Sequence, residues 1–534
     1  MRELDSGFSC AHSRSLPHSA TLVKGPKTEF MSEQLLVQGK LLGIDAFLAS
    51  PAPGGNEIID ARSLWITLVS EVVPRALLAE LQLAAQLLGA SGGAQFLIII
   101  PDSFRDRANE FLATAASQVT AATAGMVTLV WSATENLGDW TVVRKRLTDQ
   151  LLARRETPLA AALDFEPFNA NPSSDGQFTP ELARALRTAP SVGWSPDLPL
   201  LFSPAPEKHN WPITSDLTVD GIALARHAAP SETEGTNATV AEMAARSNGR
   251  PLFGLLRGDV DDFGLRLRRL QSIEEHVQVS VLYKQFFAGE LEILCSMPEF
   301  WRRVTVLYSG GNSFAVYGAW DALILLGREL QRMFGRFAEQ NLKDFPGPEA
   351  KTITMACALS PDMATPLESL YANCGRDLAL AKASDKDCIY LLGRVLEWKQ
   401  LADAAELKEA VERVSEEFRG GSKFLSELDA LYNKVSSPLL TDQQRLLRRA
   451  YRFQRRFTSA ATRGAKEREF GKLRTHLINE IVGRNVRPSK GKQLKLRPAG
   501  VVALEWARLA QSSFSQGNSQ GNPQGNAQEN VQDT

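Results

Sequence analysis

Three acidic residues stand at the end of an apolar segment near the middle of the chain. Residues 252–260 predict a strand, and Asp259, Asp261 and Asp262 lie at or just beyond its end. Because side chains alternate along a strand, Asp259 and Asp261 are expected on the same side. Paired carboxylates at a strand end suit Mg²⁺, which takes one or two carboxylates together with phosphate oxygens and water. The alternative is a helix start, where acids are favoured near the positive end of the helix dipole.

A glycine-containing hairpin follows about fifty residues later. It is predicted over residues 304–317, and its turn reads Tyr308-Ser309-Gly310-Gly311-Asn312-Ser313. Glycine supplies the positive φ angles of a tight turn, and it lets a phosphate approach the backbone closely. An ordinary β-turn would give the same pattern. The two glycines therefore indicate a nucleotide site only in combination with the acids.

A third candidate site is basic. Between Arg445 and Arg497 the chain holds seventeen Lys and Arg but only three acids, although its overall net charge is −1. The arginines at helical spacing are Arg445, Arg448, Arg449, Arg452, Arg455 and Arg456, beside Leu446, Leu447, Tyr451 and Phe453. This pattern indicates a helix with one basic face and one apolar face, as expected of a bundle helix that faces phosphate groups. A solvated charged face is the alternative.

The elements that must position these residues form two α+β modules and a helical region. We predict the modules over residues 34–163 and 251–396, joined by a connector or irregular insertion, rich in Pro, Ser, Asn and Gly, over residues 164–250. Residues 397–510 show only helical patterns. Residues 1–33 and the Gln/Gly/Asn/Ser-rich residues 511–534 are predicted to be disordered.

The two modules have similar spacing between their glycines. Gly39 precedes Gly92-Gly93 by about as much as Gly258 precedes Gly310-Gly311. This spacing suggests two copies of one structural plan, although two unrelated α+β domains with glycine turns remain an alternative.

Composition excludes several classes of protein. No apolar run of the 534-residue chain approaches the roughly 20 residues of a membrane span. The five cysteines include no CxxC pair, which argues against a disulfide framework and structural zinc and favours a reducing cytoplasm. None of the six histidines is followed by Asp.

Taken together, the acids and the hairpin resemble the palm domain of polymerases and nucleotide cyclases. More narrowly, they resemble the second palm of the large subunit of type III CRISPR effector complexes, whose motifs are DVDNLG, YSGGDD, then AK…K and a tryptophan. The matching residues here are Asp259-Val260-Asp261-Asp262-Phe263-Gly264, Tyr308 to Ser313, Ala381-Lys382…Lys386 and Trp398. In the first module the matches to the same family are Gly39, Gly43-Ile44, Phe47, the segment Ala61 to Glu71, and Gly92-Gly93.

The resemblance covers about residues 35–485 and implies an α+β fold with two ferredoxin-like palm domains and a C-terminal helical bundle. It also implies a change in chemistry, because Asn312 and Ser313 stand where the family has the two hairpin aspartates that hold metals for cyclic oligoadenylate synthesis. We therefore expect a pseudo-enzyme with no bound metal and no cofactor. Its degenerate nucleotide site would comprise Asp259, Asp261, Asp262, Gly310, Gly311, Asn312, Ser313, Lys382 and Lys386. The alternative is a synthase with an altered metal site on the three acids.

The resemblance also implies partners. Guide CRISPR RNA, target RNA, the backbone subunits and the subunit that caps the guide 5′ end are expected, whereas a membrane is not. The family's helical domain lies along guide and target RNA, so Arg448, Arg449, Arg452, Arg455 and Arg456 are the expected RNA contacts. Because no His-Asp pair is present and few residues precede the first palm, the family's HD nuclease is expected to be missing. A cytoplasmic protein of a divergent branch, similar to type III-D, is the overall expectation.

Overall fold

The structure is a computed structural model that describes residues 33–51, 56–161, 177–214, 221–233, 235–433, 440–458, 464–484 and 497–511. The disordered extension and tail predicted for residues 1–33 and 511–534 lie almost entirely outside the described residues. No helix in the described part of the chain is both long and apolar enough to cross a membrane.

The described residues of the first palm form four strands and four α-helices. Its elements are β1 (Gln34–Leu42), α1 (Ile44–Ala49), α2 (Asn56–Glu80), β2 (Leu88–Gly92), β3 (Gln95–Pro101), α3 (Arg105–Ala122), β4 (Thr128–Glu135) and α4 (Trp140–Ala161). The strands form an antiparallel sheet in the order β2-β3-β1-β4. Buried residues of α2 and α3 pack with the sheet in one apolar core.

The connector is more regular than its sequence predicts. It holds α5 (Pro180–Thr188), β5 (Ser191–Trp194), β6 (Phe202–Ser203), β7 (His209–Thr214), β8 (Ile222–Ala223) and α6 (Val240–Ala245). The strands form a small sheet in the order β6-β5-β7-β8. An irregular insertion was expected because strands of two to six residues are too short to show a hydrophobic period.

The second palm carries the three acids and the glycine hairpin. Its elements are β9 (Phe253–Val260), α7 (Phe263–Arg269), α8 (Ile273–Gln285), a π-helical turn (Phe286–Glu290), α9 (Leu291–Cys295), β10 (Val304–Gly310), β11 (Ser313–Ala319), α10 (Trp320–Asn341), β12 (Ile353–Leu359), α11 (Leu367–Ser384), β13 (Cys388–Leu391) and β14 (Arg394–Glu397). The sheet order is β10-β11-β9-β12-β13-β14. The predicted strand and hairpin of this module are confirmed.

The described residues from 398 to 510 are mainly helical, as predicted. It consists of α12 (Trp398–Glu417), α13 (Gly421–Asn433), α14 (Leu440–Thr458), α15 (Ala465–Ile481) and α16 (Pro498–Ala510). Leucine, valine, isoleucine and phenylalanine side chains of these helices form a separate core. Two palms followed by a helical bundle confirm the predicted α+β fold class.

The two palms repeat one structural plan. Each has a glycine at the equivalent position of its central strand, packed against a phenylalanine of the hairpin. Gly39 on β1 faces Phe96 on β3, and Gly258 on β9 faces Phe314 on β11. A Cβ atom at either glycine would lie 2.2 Å from the facing phenyl ring. Glycine is therefore required at this position of the central strand in both palms, because a side chain would occupy the space of the phenyl ring on the neighbouring hairpin strand.

A buried ion pair joins the first palm, the connector and the second palm. Arg187 on α5 lies 2.8 Å from Asp60 on α2, and only 2% and 8% of the two side chains is exposed. Arg187 also donates to the carbonyl of Val306 on β10 at 2.9 Å, and the hydroxyl of Tyr317 donates to Asp60 at 3.1 Å. Burial raises the pKa of Asp60, and Arg187 opposes that rise. The pair thus holds three parts of the chain in one arrangement.

Candidate functional site

The three acids lie together, but each has its own partners. Asp259 is on β9 in register with Ser313 on β11 and Thr354 on β12. Asp261 and Asp262 follow the end of β9, and Asp262 has a left-handed backbone conformation (φ 56°) just before α7. The side chain of Asp262 makes no capping hydrogen bond to α7. Asp262 therefore does not cap the N-terminus of α7 through a side-chain hydrogen bond, which is what the helix-start alternative would require.

Asp259 is held between an amide and an ammonium group. The side-chain nitrogen of Asn312 donates to its Oδ1, and the Nζ of Lys382 donates to its Oδ2. Burial raises the pKa of this carboxyl, whereas Lys382 lowers it. Both oxygens that could bind a divalent cation are thus already engaged by hydrogen-bond donors.

Asp261 is buried, with 3% of its surface exposed. It accepts hydrogen bonds from the hydroxyls of Thr352 at 2.9 Å and Thr354 at 2.7 Å, and from the backbone N–H of Asp387 at 3.0 Å. Lys382 Nζ is 3.9 Å away. These contacts satisfy a buried carboxylate within the protein, and they tie the end of β9 to β12 and to the loop before β13.

Asp262 forms an exposed ion pair with Lys386, whose Nζ lies 2.8 Å and 2.9 Å from the two carboxylate oxygens. The hydrogen bond from Lys386 to Asp262 raises the pKa of the lysine. The two lysines predicted near the site therefore contact the acids directly. Within the described residues, no three His, Cys, Asp or Glu side chains are grouped so that they could hold a metal ion.

The glycine turns of the two palms touch each other. Gly93 and Gly311 have φ angles of 61° and 62°, which favour glycine. A Cβ atom at Gly93 would lie 2.6 Å from the Cα of Gly311, and one at Gly310 would lie 3.1 Å from the backbone nitrogen of Gly93. Residues with side chains could not approach so closely. Gly310 and Gly311 thus form part of the contact between the palms.

A cavity of about 220 Å³ lies beside this contact and is lined by both palms. Its polar lining includes Asp45, Ser63, Thr67, Arg257, Tyr308, Ser313 and Tyr371. The guanidinium of Arg257 lies 4.0 Å from the ring centroid of Tyr371 and donates to Asp45 at 2.9 Å. The hydroxyl of Tyr371 also donates to Asp45, at 2.7 Å.

Asp45, Arg257 and Tyr371 are not among the site residues predicted from the sequence. A signal was present for one of them, since Arg257 stands two residues before Asp259 and must share its side of β9. Nothing in the sequence pairs Arg257 with Asp45, which lies 212 residues away in the first palm.

The predicted basic face lies on α14, away from the acids in the chain. Arg448, Arg449, Arg452, Arg455 and Arg456 are all exposed. The opposite side of the helix buries Leu447, Ala450 and Phe453 in the core of the bundle. Arg456 donates to Glu427 on α13 and lies 4.2 Å from the ring centroid of Phe457. The side chains of Arg445 and Leu446 lie outside the described residues.

Comparison with known proteins identifies the second palm. Residues 252–390 match the family model described as Cas10/Cmr2, second palm domain. A Cas10/Csm1 protein of Enterococcus italicus, named as a CRISPR system single-strand-specific deoxyribonuclease of subtype III-A, is 27% identical over 224 residues, which are 40% of this chain and 27% of that protein. A protein of the same name from Thermococcus onnurineus is 24% identical over 176 residues, 30% of this chain and 21% of its own length. The chain thus spans about a quarter of the length of the curated relatives it matches.

Solved structures extend the likeness to most of the chain. The Csm1–Csm4 cassette in complex with pppApApA superposes with a TM-score of 0.67 at 17% identity, over 90% of this chain and 70% of that one. The Csm1–Csm4 cassette in complex with cA3 gives a TM-score of 0.65 with the same identity and coverage. These comparisons confirm that the chain resembles the large, palm-domain subunit of type III CRISPR effector complexes.

Proposed function

We propose that this chain is a non-catalytic large subunit of an RNA-guided type III CRISPR effector complex of antiviral defence. It would organise the region around the guide 5′ end and contact guide and target RNA. The contacts of Asp259 are the main support for a non-catalytic role. Its two carboxylate oxygens accept hydrogen bonds from Asn312 and Lys382.

The ligand set does not fit the metals that the family implies. A carboxylate and a divalent ion about 4 Å apart attract by roughly 8 kcal/mol at an effective dielectric of about 20, before desolvation is subtracted. Asn312 and Ser313 are neutral and cannot supply two such contributions. Lys382 also lies against Asp259 and donates to one of its oxygens. Two-metal catalysis needs both ions, so a site that has lost part of its metal ligands is expected to lose this activity.

A cyclic oligoadenylate synthase with an altered metal site at Asp259, Asp261 and Asp262 is the second candidate. The proximity of the three acids favours it. The contacts of two acids argue against it. Asp261 accepts hydrogen bonds from two threonine hydroxyls and a backbone N–H, and Asp262 forms an ion pair with Lys386. The contacts of each acid support a structural role better than a shared metal.

The partners we propose are guide CRISPR RNA, target RNA, the backbone subunits and the subunit that caps the guide 5′ end. The Csm1–Csm4 structures support other effector subunits as partners by analogy, because Csm4 accompanies the similar chain there. The exposed arginines of α14 support RNA contact, since phosphate binding needs positive charge and no base-specific geometry. A cytoplasmic location and a type III-D-like branch complete the proposal.

Assembly of the complex tests the scaffolding role. Co-expression of the subunits and the guide with and without this chain, followed by size-exclusion chromatography and native mass spectrometry, measures how much complete particle forms. Without the chain, we expect particles that lack the capping subunit and protect less of the guide 5′ region from nuclease. Particles of normal composition and normal guide protection in its absence would refute the scaffolding role.

A further inference from the structure

Two short basic segments, one from each palm, meet where α4 contacts the C-terminal end of α7. Residues 144–146 on α4 read Arg-Lys-Arg, and residues 266–269 on α7 read Arg-Leu-Arg-Arg. Neither residues 140–148 nor residues 263–273 contain Asp or Glu. The two segments are more than a hundred residues apart in the chain, so it is the fold that brings them together.

Arg144 joins the two segments. Its Nη1 donates to the carbonyl of Leu267 and, at 3.4 Å, to that of Leu270, and its Nη2 donates to the carbonyl of Arg268. Carbonyl groups at the C-terminal end of a helix have no partner within the helix and carry partial negative charge. Arg144 therefore caps the end of α7 and holds the backbone of Arg268 against α4.

The positive charge at this junction is not paired with carboxylates. Arg269 lies 2.6 Å from Glu349. By contrast, Arg144, Lys145 and Arg268 form no ion pair with any carboxylate in the part of the chain that the structure describes. Burial and, after it, the charge of Arg268 lower the pKa of Arg144, which shows that the two cations repel each other. We call Arg144, Lys145 and Arg268 the interpalm basic patch.

Two members of the patch are available to a ligand. Lys145 and Arg268 are both exposed. The Nε of Arg268 donates to the carbonyl of Gly264 at 3.3 Å. Its two terminal nitrogens, and the Nζ of Lys145, have no hydrogen-bond partner among the described residues. An anion bound here would accept from these donors and would reduce the repulsion between Arg268 and Arg144.

We propose that the interpalm basic patch binds the phosphates of a single-stranded nucleic acid. Lys145 and Arg268 donate to the phosphates, and Arg144 holds α7 in position. Phosphate contact needs positive charge and donors but no base-specific geometry, which two long, exposed cations supply. The patch is separate from the arginines of α14 and lies at the opposite end of α7 from Asp262. It rests on the function proposed above only in taking a nucleic acid as the ligand.

Fluorescence anisotropy of the full chain with labelled oligouridine, and with oligothymidine of the same length, tests the proposal over a series of salt concentrations. Lys145→Gln/Arg268→Gln should raise the Kd about 10-fold at low salt, and should make the slope of log K against log salt less steep by roughly 0.7 for each phosphate lost. Arg144 is left unchanged because it holds α7. The Kd should rise by the same factor for both oligonucleotides, since they share phosphates; a rise confined to one of them overturns the assignment to phosphate.

Arg328→Gln/Arg336→Gln is the matched control. It removes the same charge from exposed arginines of α10 in the second palm and should leave the Kd unchanged. Equal affinities of wild type and the patch variant, or equal losses in both double variants, overturn the proposal. It is also overturned if the wild type binds polyglutamate more tightly than oligouridine and the patch variant does not, because the partner is then an acidic protein segment.

The same assay separates this proposal from RNA contact by α14. If replacement of the α14 arginines by glutamate weakens oligouridine binding and the patch variant binds like wild type, only the interpalm patch is refuted. If neither change weakens binding, both are refuted.

Discussion

Replacement of the five arginines of α14 by glutamate lowers the affinity for single-stranded RNA by about 10³-fold at low salt, at roughly 1 kcal/mol for each phosphate that the helix no longer binds. The residues are Arg448, Arg449, Arg452, Arg455 and Arg456, which are exposed on a helix whose other face is buried. Each bound phosphate releases counterions, so the slope of log K against log salt should become less steep by roughly 0.7 for each phosphate that the variant leaves unbound. Fluorescence anisotropy with labelled RNA over a series of salt concentrations measures both effects.

A matched control separates local phosphate binding from net charge. Arg328, Arg332 and Arg336 form an exposed row on α10 of the second palm, and their replacement by glutamate adds the same charge as replacement of Arg448, Arg452 and Arg455. Only the triple variant of α14 should change the slope. If both triple variants lower affinity equally, or if the five-residue variant binds like wild type, the arginines of α14 are a solvated face.

Replacement of Arg187 by methionine lowers the free energy of unfolding by about 3–5 kcal/mol, because it leaves the buried carboxylate of Asp60 without its cation. The change also removes the hydrogen bond to the carbonyl of Val306, which ties the connector to the second palm. Urea denaturation followed by tryptophan fluorescence measures the decrease in stability. The double variant Asp60→Asn/Arg187→Met should be less destabilised than Arg187→Met, since it removes the uncompensated charge.

Arg184 provides the control for this prediction. It lies one turn earlier on α5, is 47% exposed, and pairs with Glu181 at 3.0 Å. Arg184→Met should change stability by no more than about 0.5 kcal/mol, as expected of an exposed ion pair. Equal stabilities of Arg184→Met and Arg187→Met would show that the Asp60–Arg187 pair does not hold the three parts of the chain together.

Much of the fold could be predicted from the sequence because its periodic elements are long. β9 and the hairpin of β10 and β11 end within a few residues of the predicted bounds. The repeat was visible in the spacing of Gly39 and Gly258 from their glycine turns. The small sheet of the connector was not, because its strands are too short to show alternation.

The composition of the candidate site could be predicted, but its contacts could not. Asp259 and Lys382 are 123 residues apart, and only the packing of α11 against β9 brings them together. The same holds for Arg257. Its partner Asp45 lies on α1 of the first palm, and its partner Tyr371 lies on α11 of the second palm. Residue types and spacing indicated an altered metal site, but the contact between the Lys382 ammonium group and Asp259 could be seen only in the tertiary structure.

An ATP assay with product detection tests whether the second palm is catalytically inactive. The purified complex, with guide, target RNA, ATP and either Mg²⁺ or Mn²⁺, should yield neither cyclic nor linear oligoadenylate by mass spectrometry, because Asn312 and Lys382 engage the carboxylate of Asp259. Mn²⁺ is included because it tolerates a poorer ligand set. Oligoadenylate that forms with the wild type and disappears with Asp259→Ala would show that the acids at the end of β9 suffice for catalysis, and would contradict a non-catalytic role.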